Sequence, residues 1–155
     1  MQDETGVAVA HWECEALRDA IATVRAGVDG FAHRHGMARP TRQDVGAAVS
    51  EAVAVAMGPL LPAPGRVVVD AATDGACLSV RVAGGAEHES GEAIPMPLVV
   101  RLADRVEYGP RFTGAGTTIL MEFAIPERDP AVRRRGERCG ARTRPAARGH
   151  TRRGA

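Results

Sequence analysis

The sequence predicts an α+β fold, a two-layer α/β sandwich in which helices cover one face of a mixed, mostly antiparallel sheet. Two amphipathic segments in the N-terminal part predict helices, because their apolar residues recur at steps of three and four. Two β-branched runs joined by a tight turn predict a hairpin. With a strong final strand, the predicted order is β-α-α-β-β-loop-α-β-β, which is typical of helices packed on one sheet face.

The N-terminal part of the chain predicts one short strand and two helices. Residues 6–13 alternate between apolar and polar side chains, as a half-buried strand does. Residues 15–34 carry the helical spacing of apolar side chains, and Gly36 is expected to end that helix. Thr41 is expected to cap a second helix, which runs to Met57.

The rest of the domain predicts most of the sheet. Residues 66–71 and 77–84 are expected to form strands, and the sequence TDG at residues 73–75 is typical of a hairpin turn. The later elements are a loop, a short helix, a strand, a glycine-bearing turn and a final strand, at residues 85–97, 98–104, 105–108, 109–116 and 117–125. The hairpin and the last two strands therefore supply the sheet layer of the predicted sandwich.

Composition excludes several classes of chemistry. The chain has no lysine, which excludes a P-loop phosphate clamp and a Schiff-base mechanism, and no asparagine, which excludes an amide ligand to a metal. Its three cysteines are widely spaced without a CxxC pair, so no metal site is predicted. No apolar run approaches the roughly 18–20 residues that cross a bilayer. The polar N-terminus lacks the features of a secretory signal, so we expect a cytoplasmic protein that does not enter the membrane.

Charge divides the chain into two parts. Residues 1–125 carry ten arginines and sixteen acidic residues, whereas residues 126–155 carry ten arginines and three acidic residues. We predict a folded domain at residues 1–126 and a disordered, arginine-rich tail at residues 127–155, which lacks apolar periodicity. The tail is either a solvated extension or an arm for nucleic acid or an acidic partner. It has no interleaved aromatic residue to stack on bases, which argues against nucleic acid.

Four motifs follow one another along the predicted domain. They are SEAVAVAM at residues 50–57, VRVAGGA at 80–86, EAIPMPLVVRLADRVEY at 92–108 and GAGTTILMEF at 114–123. In order and spacing they resemble the ATP-binding domain of bacterial anti-sigma factors of the serine-kinase type, a branch of the GHKL (Bergerat-fold) ATPases. The resemblance implies the Bergerat fold and ATP with magnesium as ligand. It also implies a homodimer and a protein partner, either a sigma factor or an anti-sigma antagonist.

The first motif places Glu51 and Val55 one helical turn apart, so both side chains face the same side of the second helix. The resemblance implies that Glu51 is the catalytic base, which orients or deprotonates the attacking hydroxyl group. At the position of Val55 the family carries an asparagine that holds the magnesium ion. A valine offers no oxygen to a hard cation, so metal binding at this position is predicted to be lost.

The second and third motifs also depart from the family pattern. The family reads aspartate-x-glycine-x-glycine where this chain has Val82, Gly84 and Ala86. The aspartate accepts the adenine amino group, so its replacement by Val82 removes the one charged acceptor for the base, a bond worth about 1.5–3 kcal/mol. The family's glycine-rich phosphate lid is replaced here at residues 92–97 by a segment with two prolines, which removes amide donors and fixes φ.

The fourth motif matches the family best. The resemblance implies that Gly114, Gly116, Thr117 and Thr118 belong to a nucleotide pocket together with Gly84. Gly116 and Thr117 would contact phosphate in an active relative. The remnant pocket predicted from the sequence therefore consists of these five residues, and the resemblance adds Glu51 as its base. The alternatives are a solvent-facing acid of the helix for Glu51 and plain hairpin geometry for Gly114 and Gly116.

Three hypotheses of function follow from these motifs. We expect a regulatory protein of the anti-sigma factor type that acts by partner binding, with ATP binding and kinase activity weakened or lost. The alternative is an active ATP-dependent serine/threonine-protein kinase that phosphorylates an anti-sigma antagonist, with Glu51 as its base. A third hypothesis assigns nucleic-acid binding to the basic tail. Combined loss of the metal ligand, the adenine acceptor and the lid glycines favours the first.

Overall fold

The computed structural model describes residues 6–58, 65–86, 94–110 and 116–126. Within these ranges the chain forms a five-stranded antiparallel sheet and three helices, which confirms the predicted α+β class. The strands are β1 Ala8–Glu15, β2 Arg66–Thr73, β3 Cys77–Gly84, β4 Arg105–Pro110 and β5 Thr117–Ala124. The helices are α1 Arg18–Arg34, α2 Arg39–Met57 and α3 Pro97–Leu102.

The strands lie in the order β1-β2-β3-β5-β4, and every neighbouring pair is antiparallel. The predicted hairpin turn joins β2 to β3. The Thr73 hydroxyl donates a hydrogen bond to the carbonyl oxygen of Cys77 over 2.8 Å. Asp74 Oδ1 accepts hydrogen bonds from the amides of Ala76 and Cys77, both over 3.0 Å, as short polar side chains do in turns. These bonds close the turn without tertiary help, which is why the sequence alone predicts it.

The two faces of the sheet differ in burial. One face, which we call the covered face, packs against α1 and α2, and its inward side chains are almost all apolar. Its core members are Val67, Val69, Ala71, Leu78, Val80, Val82, Ile119, Met121 and Phe123. The opposite face, the open face, carries the alternate residues of each strand, which are half-buried or exposed. This two-residue period places all three helices' apolar contacts on one side of the sheet.

The first strand is displaced from its predicted position. The alternation at residues 6–13 predicts a strand there, whereas β1 continues to Glu15, which lies opposite Arg66 in register. Pairing with β2 therefore extends the strand by two residues, and α1 begins at Arg18 rather than at Glu15. Strand pairing between distant segments overrides the local helical pattern at these positions.

The second helix begins earlier than predicted. It starts at Arg39, so Thr41 lies inside the first turn and the expectation that Thr41 caps the helix is wrong. The cap position is Ala38, whose side chain makes no capping hydrogen bond. Pro40 occupies the first turn, where its fixed φ suits the helix and its missing amide hydrogen has no intrahelical acceptor to lose.

Two predicted connections lie partly outside the described residues. Of the predicted loop at 85–97, residues 87–93 are not described, and of the predicted turn at 109–116, residues 111–115 are not described. Strand β4 extends to Pro110, opposite Thr117, and so includes the start of that turn. The predicted tail at 127–155 lies wholly outside the described residues, and the domain boundary before it stays a prediction.

Candidate functional site

Two of the predicted pocket residues, Gly84 and Thr117, lie opposite each other where the C-terminal turn of α2 meets β3 and β5. A Cβ atom at Gly84 would lie 2.0 Å from the carbonyl oxygen of Ala56, a distance that no side chain could occupy. Gly84 therefore allows the helix and the strand to approach closely. We call Ala56, Gly84, Ala86 and Thr117 the α2–β3 corner.

Hydrogen bonds within the α2–β3 corner satisfy its polar groups. The Ala86 amide donates to the carbonyl oxygen of Ala56 over 3.1 Å, and the Thr117 hydroxyl donates to the carbonyl oxygen of Ala86 over 2.8 Å. Thr117 is only 4% exposed. Gly58 ends α2 with a φ of 61°, and a Cβ atom there would lie 2.7 Å from the Cβ atom of Ala86. Backbone and side-chain packing thus joins the end of α2 to β3 and β5.

Glu51 faces α3. Its Oε2 atom accepts a hydrogen bond of 2.7 Å from the amide of Val99, and the contact is half-buried. Val99 lies in the first turn of α3, where amide groups have no partner within the helix. Met96, at the cap position of α3, provides no side-chain hydrogen bond, so the carboxylate of α2 fulfils that capping role. The structure therefore gives the predicted base a partner in the fold itself.

In the family that this chain resembles, one position binds magnesium and another binds adenine. Both positions carry apolar side chains in this chain. Val55 is half-buried on α2 and packs against the core, and Val82 is fully buried on the covered face of β3. Neither offers an oxygen atom to a cation or an acceptor to a base. Among the described residues no group of three or more His, Cys, Asp or Glu side chains gathers as a metal site. The described residues at these two positions do not fit ATP with a directly bound magnesium ion.

The remaining predicted pocket residues do not all converge. Gly116 precedes β5 with a φ of 128°, a conformation that favours glycine. Thr118 lies opposite Ala83 on the neighbouring strand, and strand alternation places its side chain on the open face, away from that of Thr117. Gly114 lies outside the described residues. The structure thus brings Gly84 and Thr117 together and separates Thr118 from both.

The open face carries a charged cluster that the sequence motifs did not indicate. Asp70 Oδ1 accepts a hydrogen bond of 2.6 Å from His11 Nδ1, and Asp70 Oδ2 accepts one of 2.7 Å from Arg81 Nη2. Partial burial raises the pKa of Asp70, but the hydrogen bonds from His11 and Arg81 and their positive charge outweigh it, so the pKa lies below 3.8. Register brings these residues together from three strands.

The sequence motifs also did not indicate a groove between α1 and α2. It encloses about 570 Å³, and arginines from both helices line it. The signal in the sequence is the spacing of Arg18, Arg25 and Asp29, which are seven and four residues apart and so share one face of a helix. Arg42 and Gly46 of α2 form the other wall. The apolar spacing predicts the two helices, but which polar residues meet between them depends on helix packing.

Comparison with solved structures relates this fold to a known one. No protein-family model and no curated protein matches the chain. The crystal structure of the RsbU and RsbW domains of Rv1364c from Mycobacterium tuberculosis is similar to it, with a TM-score of 0.59 and 23% sequence identity. The match covers 76% of this chain and 32% of that one, so the chain spans about a third of the length of its neighbour. The chain therefore shares a fold with part of a two-domain RsbU and RsbW structure.

Proposed function

We propose that this chain is a regulatory protein of the anti-sigma factor type, which acts by binding a protein partner and has weakened or lost ATP binding and kinase activity. The fold is similar to a structure that contains an RsbW domain, and RsbW is a GHKL anti-sigma factor kinase. The four sequence motifs lead to the same family independently of that comparison.

Packing at the α2–β3 corner is the observation that carries the non-catalytic part of the proposal. In the family that this chain resembles, the glycine of the second motif lets the backbone approach the nucleotide base. Here Gly84 is buried against the carbonyl oxygen of Ala56. The Thr117 hydroxyl is buried and already donates to Ala86. An incoming phosphate or base would have to displace these contacts, and each hydrogen bond broken costs about 0.5–1.5 kcal/mol.

The proposed partner is a sigma factor or an anti-sigma antagonist, and the proposed assembly is a homodimer in the cytoplasm. The partner and the homodimer follow from the resemblance, and the cytoplasmic location follows from the sequence, which lacks a long apolar run and the features of a secretory signal. None of the helices among the described residues is both long enough and apolar enough to cross a membrane. Partner binding requires only the surface of the folded domain, which is retained when catalytic residues are replaced.

Calorimetric titration of the full chain with ATP, in the presence and absence of magnesium, tests the loss of nucleotide binding. We expect no saturable heat at micromolar ATP concentrations, because the metal and adenine positions carry Val55 and Val82. Binding of a purified sigma factor or antagonist encoded beside this chain, measured on the same preparation, is the second expected result. Micromolar ATP affinity that depends on magnesium would contradict the proposal.

An active serine/threonine kinase is the second candidate, and the position of Glu51 favours it. The carboxylate is half-buried on the side of α2 that faces α3 rather than in open solvent, and the resemblance implies that Glu51 is the base. Transfer of radiolabelled phosphate from ATP to an antagonist protein would reveal such activity, and Glu51→Ala would then abolish it.

Glu51 also has a structural role that can be separated from catalysis by a matched pair of variants. Glu51→Ala removes the acceptor for the Val99 amide and should lower the free energy of unfolding by about 1–2 kcal/mol. Glu51→Gln keeps an acceptor oxygen and should recover at least half of that loss, measured by urea unfolding. If Glu51→Gln is stable but inactive in a chain that transfers phosphate, the carboxylate is a base, and the non-catalytic proposal is wrong.

A further inference from the structure

The groove between α1 and α2 combines a basic wall with an apolar floor. It encloses about 570 Å³. Its charged lining is Arg18, Arg25 and Asp29 from α1 and Arg42 from α2. Its floor is formed by small and aliphatic side chains, among them Ile21. Residues 1–125 together carry six more acidic than basic residues. The groove, whose lining has three arginines and one aspartate, is therefore a local exception.

Arg42 is incompletely satisfied in this groove. Its side chain is only 16% exposed, and its one ion pair to a described residue is from Nη1 to Asp29 Oδ2 at 3.2 Å. Its Nε atom is buried and has no hydrogen-bond partner among the described residues. An unpaired buried donor costs about 1–3 kcal/mol, and more when the group is charged. Among the described residues, the half-exposed carboxylate of Asp29 is therefore the one acidic group paired with the charge of Arg42.

The backbone around Arg42 adds to the positive potential. Arg42 lies near the start of α2, whose first turn has no acidic residue. The N-terminal end of a helix carries a partial positive charge, so arginines are the unfavourable charge at this position. An anion in the groove would interact favourably with both the guanidinium group and the helix terminus.

Arg25 lies on the opposite wall of the groove, next to Gly46 of α2, which has no side chain. A Cβ atom at Gly46 would lie 3.3 Å from Arg25 Nε, so the glycine leaves room for the guanidinium group to lie across the second helix. Within the described part of the chain, Arg25 and Arg18 make no ion pair, although both line the groove. The guanidinium groups of Arg25 and Arg42 thus border the same groove, and Asp29 is the one acidic residue among its described lining.

We propose that this groove binds an acidic segment of a protein partner, with a carboxylate of that segment between Arg25 and Arg42. Guanidinium groups bind carboxylates through charge-assisted, often bidentate hydrogen bonds, and Arg25 and Arg42 both line the groove. The apolar floor suits the aliphatic stem of a glutamate. The arginine-rich segment at residues 127–155 has the wrong charge for this groove. This inference rests on the proposed function, because it assigns a docking site to the proposed partner.

Fluorescence anisotropy of a labelled hexaglutamate peptide, titrated with the full 155-residue chain, tests the inference. Arg25→Gln and Arg42→Gln should each weaken binding by about tenfold or more, as expected for the loss of a charge-assisted hydrogen bond. Arg66→Gln is the matched control, since it removes the same charge from β2, and it should change the affinity by less than about twofold. Amide NMR shifts on addition of the peptide should cluster at Arg25, Arg42 and Gly46.

Three outcomes would overturn the inference. The first is a peptide affinity that the two groove variants leave unchanged, and the second is an equal loss of affinity in the groove variants and in Arg66→Gln. The third is saturation of the same NMR shifts by inorganic phosphate at the concentrations used for the peptide, which would make the groove a site for free anions. Circular dichroism verifies that each variant is folded. If a sigma factor or antagonist binds the groove variants as tightly as the unmodified chain, the proposed function stands and this docking site is wrong. If the peptide binds as expected while ATP also binds at micromolar concentration, the docking site stands and the non-catalytic proposal is wrong.

Discussion

The two faces of the sheet place very different demands on their side chains. On the covered face, Val69, Val80 and Ile119 are completely buried, and at its edge Gly84 meets the backbone of α2. On the open face, Asp70 and its charged partners lie at the surface, where water and ions weaken their attraction. A single added methyl group on the covered face should therefore lower the free energy of unfolding more than the loss of an ion pair on the open face does.

The same comparison bears on function. Gly84 and Thr117, which the resemblance assigns to a nucleotide pocket, lie on the covered side, where packing occupies the space that a ligand would need. Residues on the open face and on the outer surfaces of α1 and α2 are not under that constraint. Surfaces that are free of packing can change charge without unfolding the domain, which is where we place partner recognition.

Gly84→Ala tests the covered face where it is most tightly packed. The new Cβ atom would lie 2.0 Å from the carbonyl oxygen of Ala56, so β3 and α2 would have to separate. We expect a loss of about 3 kcal/mol or more in the free energy of unfolding, measured by urea denaturation followed by circular dichroism. Gly85→Ala is the control, because its Cβ atom would have no neighbour within 4 Å. Similar stabilities of the two variants would contradict the close contact.

Gly27→Ala tests the contact between α1 and β1 on the same side of the sheet. Its Cβ atom would lie 2.4 Å from Trp12 Nε1, a rigid ring that packs edge-on against Phe31. Alanine improves helix propensity by about 1 kcal/mol, and overpacking outweighs this, so we expect a net loss of about 1–2 kcal/mol with a shift in tryptophan emission.

The matched control for Gly27 is Gly30→Ala in the same helix. There the added Cβ atom would meet only Arg34 Nη1 at 3.5 Å, an ordinary contact. Helix propensity alone should then raise the free energy of unfolding by about 0.5–1 kcal/mol. Opposite signs for the two substitutions, with thermal unfolding as the measurement, would verify that Trp12 sets the limit. Stabilisation by Gly27→Ala would show that the ring moves aside.

Local patterns predict those parts of the fold that local physics determines. The hairpin turn at Asp74 closes through its own side chain, and strand alternation predicts which residues of β3 and β5 are buried. The start of α1 depends instead on the pairing of Glu15 with Arg66, fifty-one positions away along the chain. Such pairing leaves no local signal, and so the predicted boundary is wrong by three residues.

The candidate site was less predictable than the fold because its contacts are long-range. The resemblance implies a pocket position for Glu51, but its partner Val99 lies forty-eight residues away and binds through a backbone amide, which has no residue signature. A glycine in a motif predicts room for a ligand as readily as contact with a helix, and at Gly84 the contact is with Ala56. The side to which Thr118 points follows from strand register, which the motif does not contain.

Asp70→Asn tests the open face and should have the smallest effect. The pKa of Asp70 in the folded state lies below its ordinary value, so its carboxylate stabilises the fold above that ordinary pKa, and the contribution is lost as the pH falls through the folded-state pKa. Partial burial opposes this shift, whereas the hydrogen bonds from His11 and Arg81 produce it. Because the ion pairs are exposed, we expect Asp70→Asn to cost about 0.2–1 kcal/mol near neutral pH and nothing once the carboxylate is protonated.

Urea unfolding at about pH 7 and about pH 3 measures this difference for Asp70→Asn and for the unmodified chain. Glu13→Gln is the control, since it removes a single exposed ion pair, to Arg66, from the same face. Asp70→Asn should flatten the acid limb of the stability curve relative to the unmodified chain, because Asp70 accepts hydrogen bonds from two strands at once. If Asp70→Asn instead costs as much as Gly84→Ala, the charged cluster is part of what holds β1 and β3 to β2, and the distinction between the two faces is wrong.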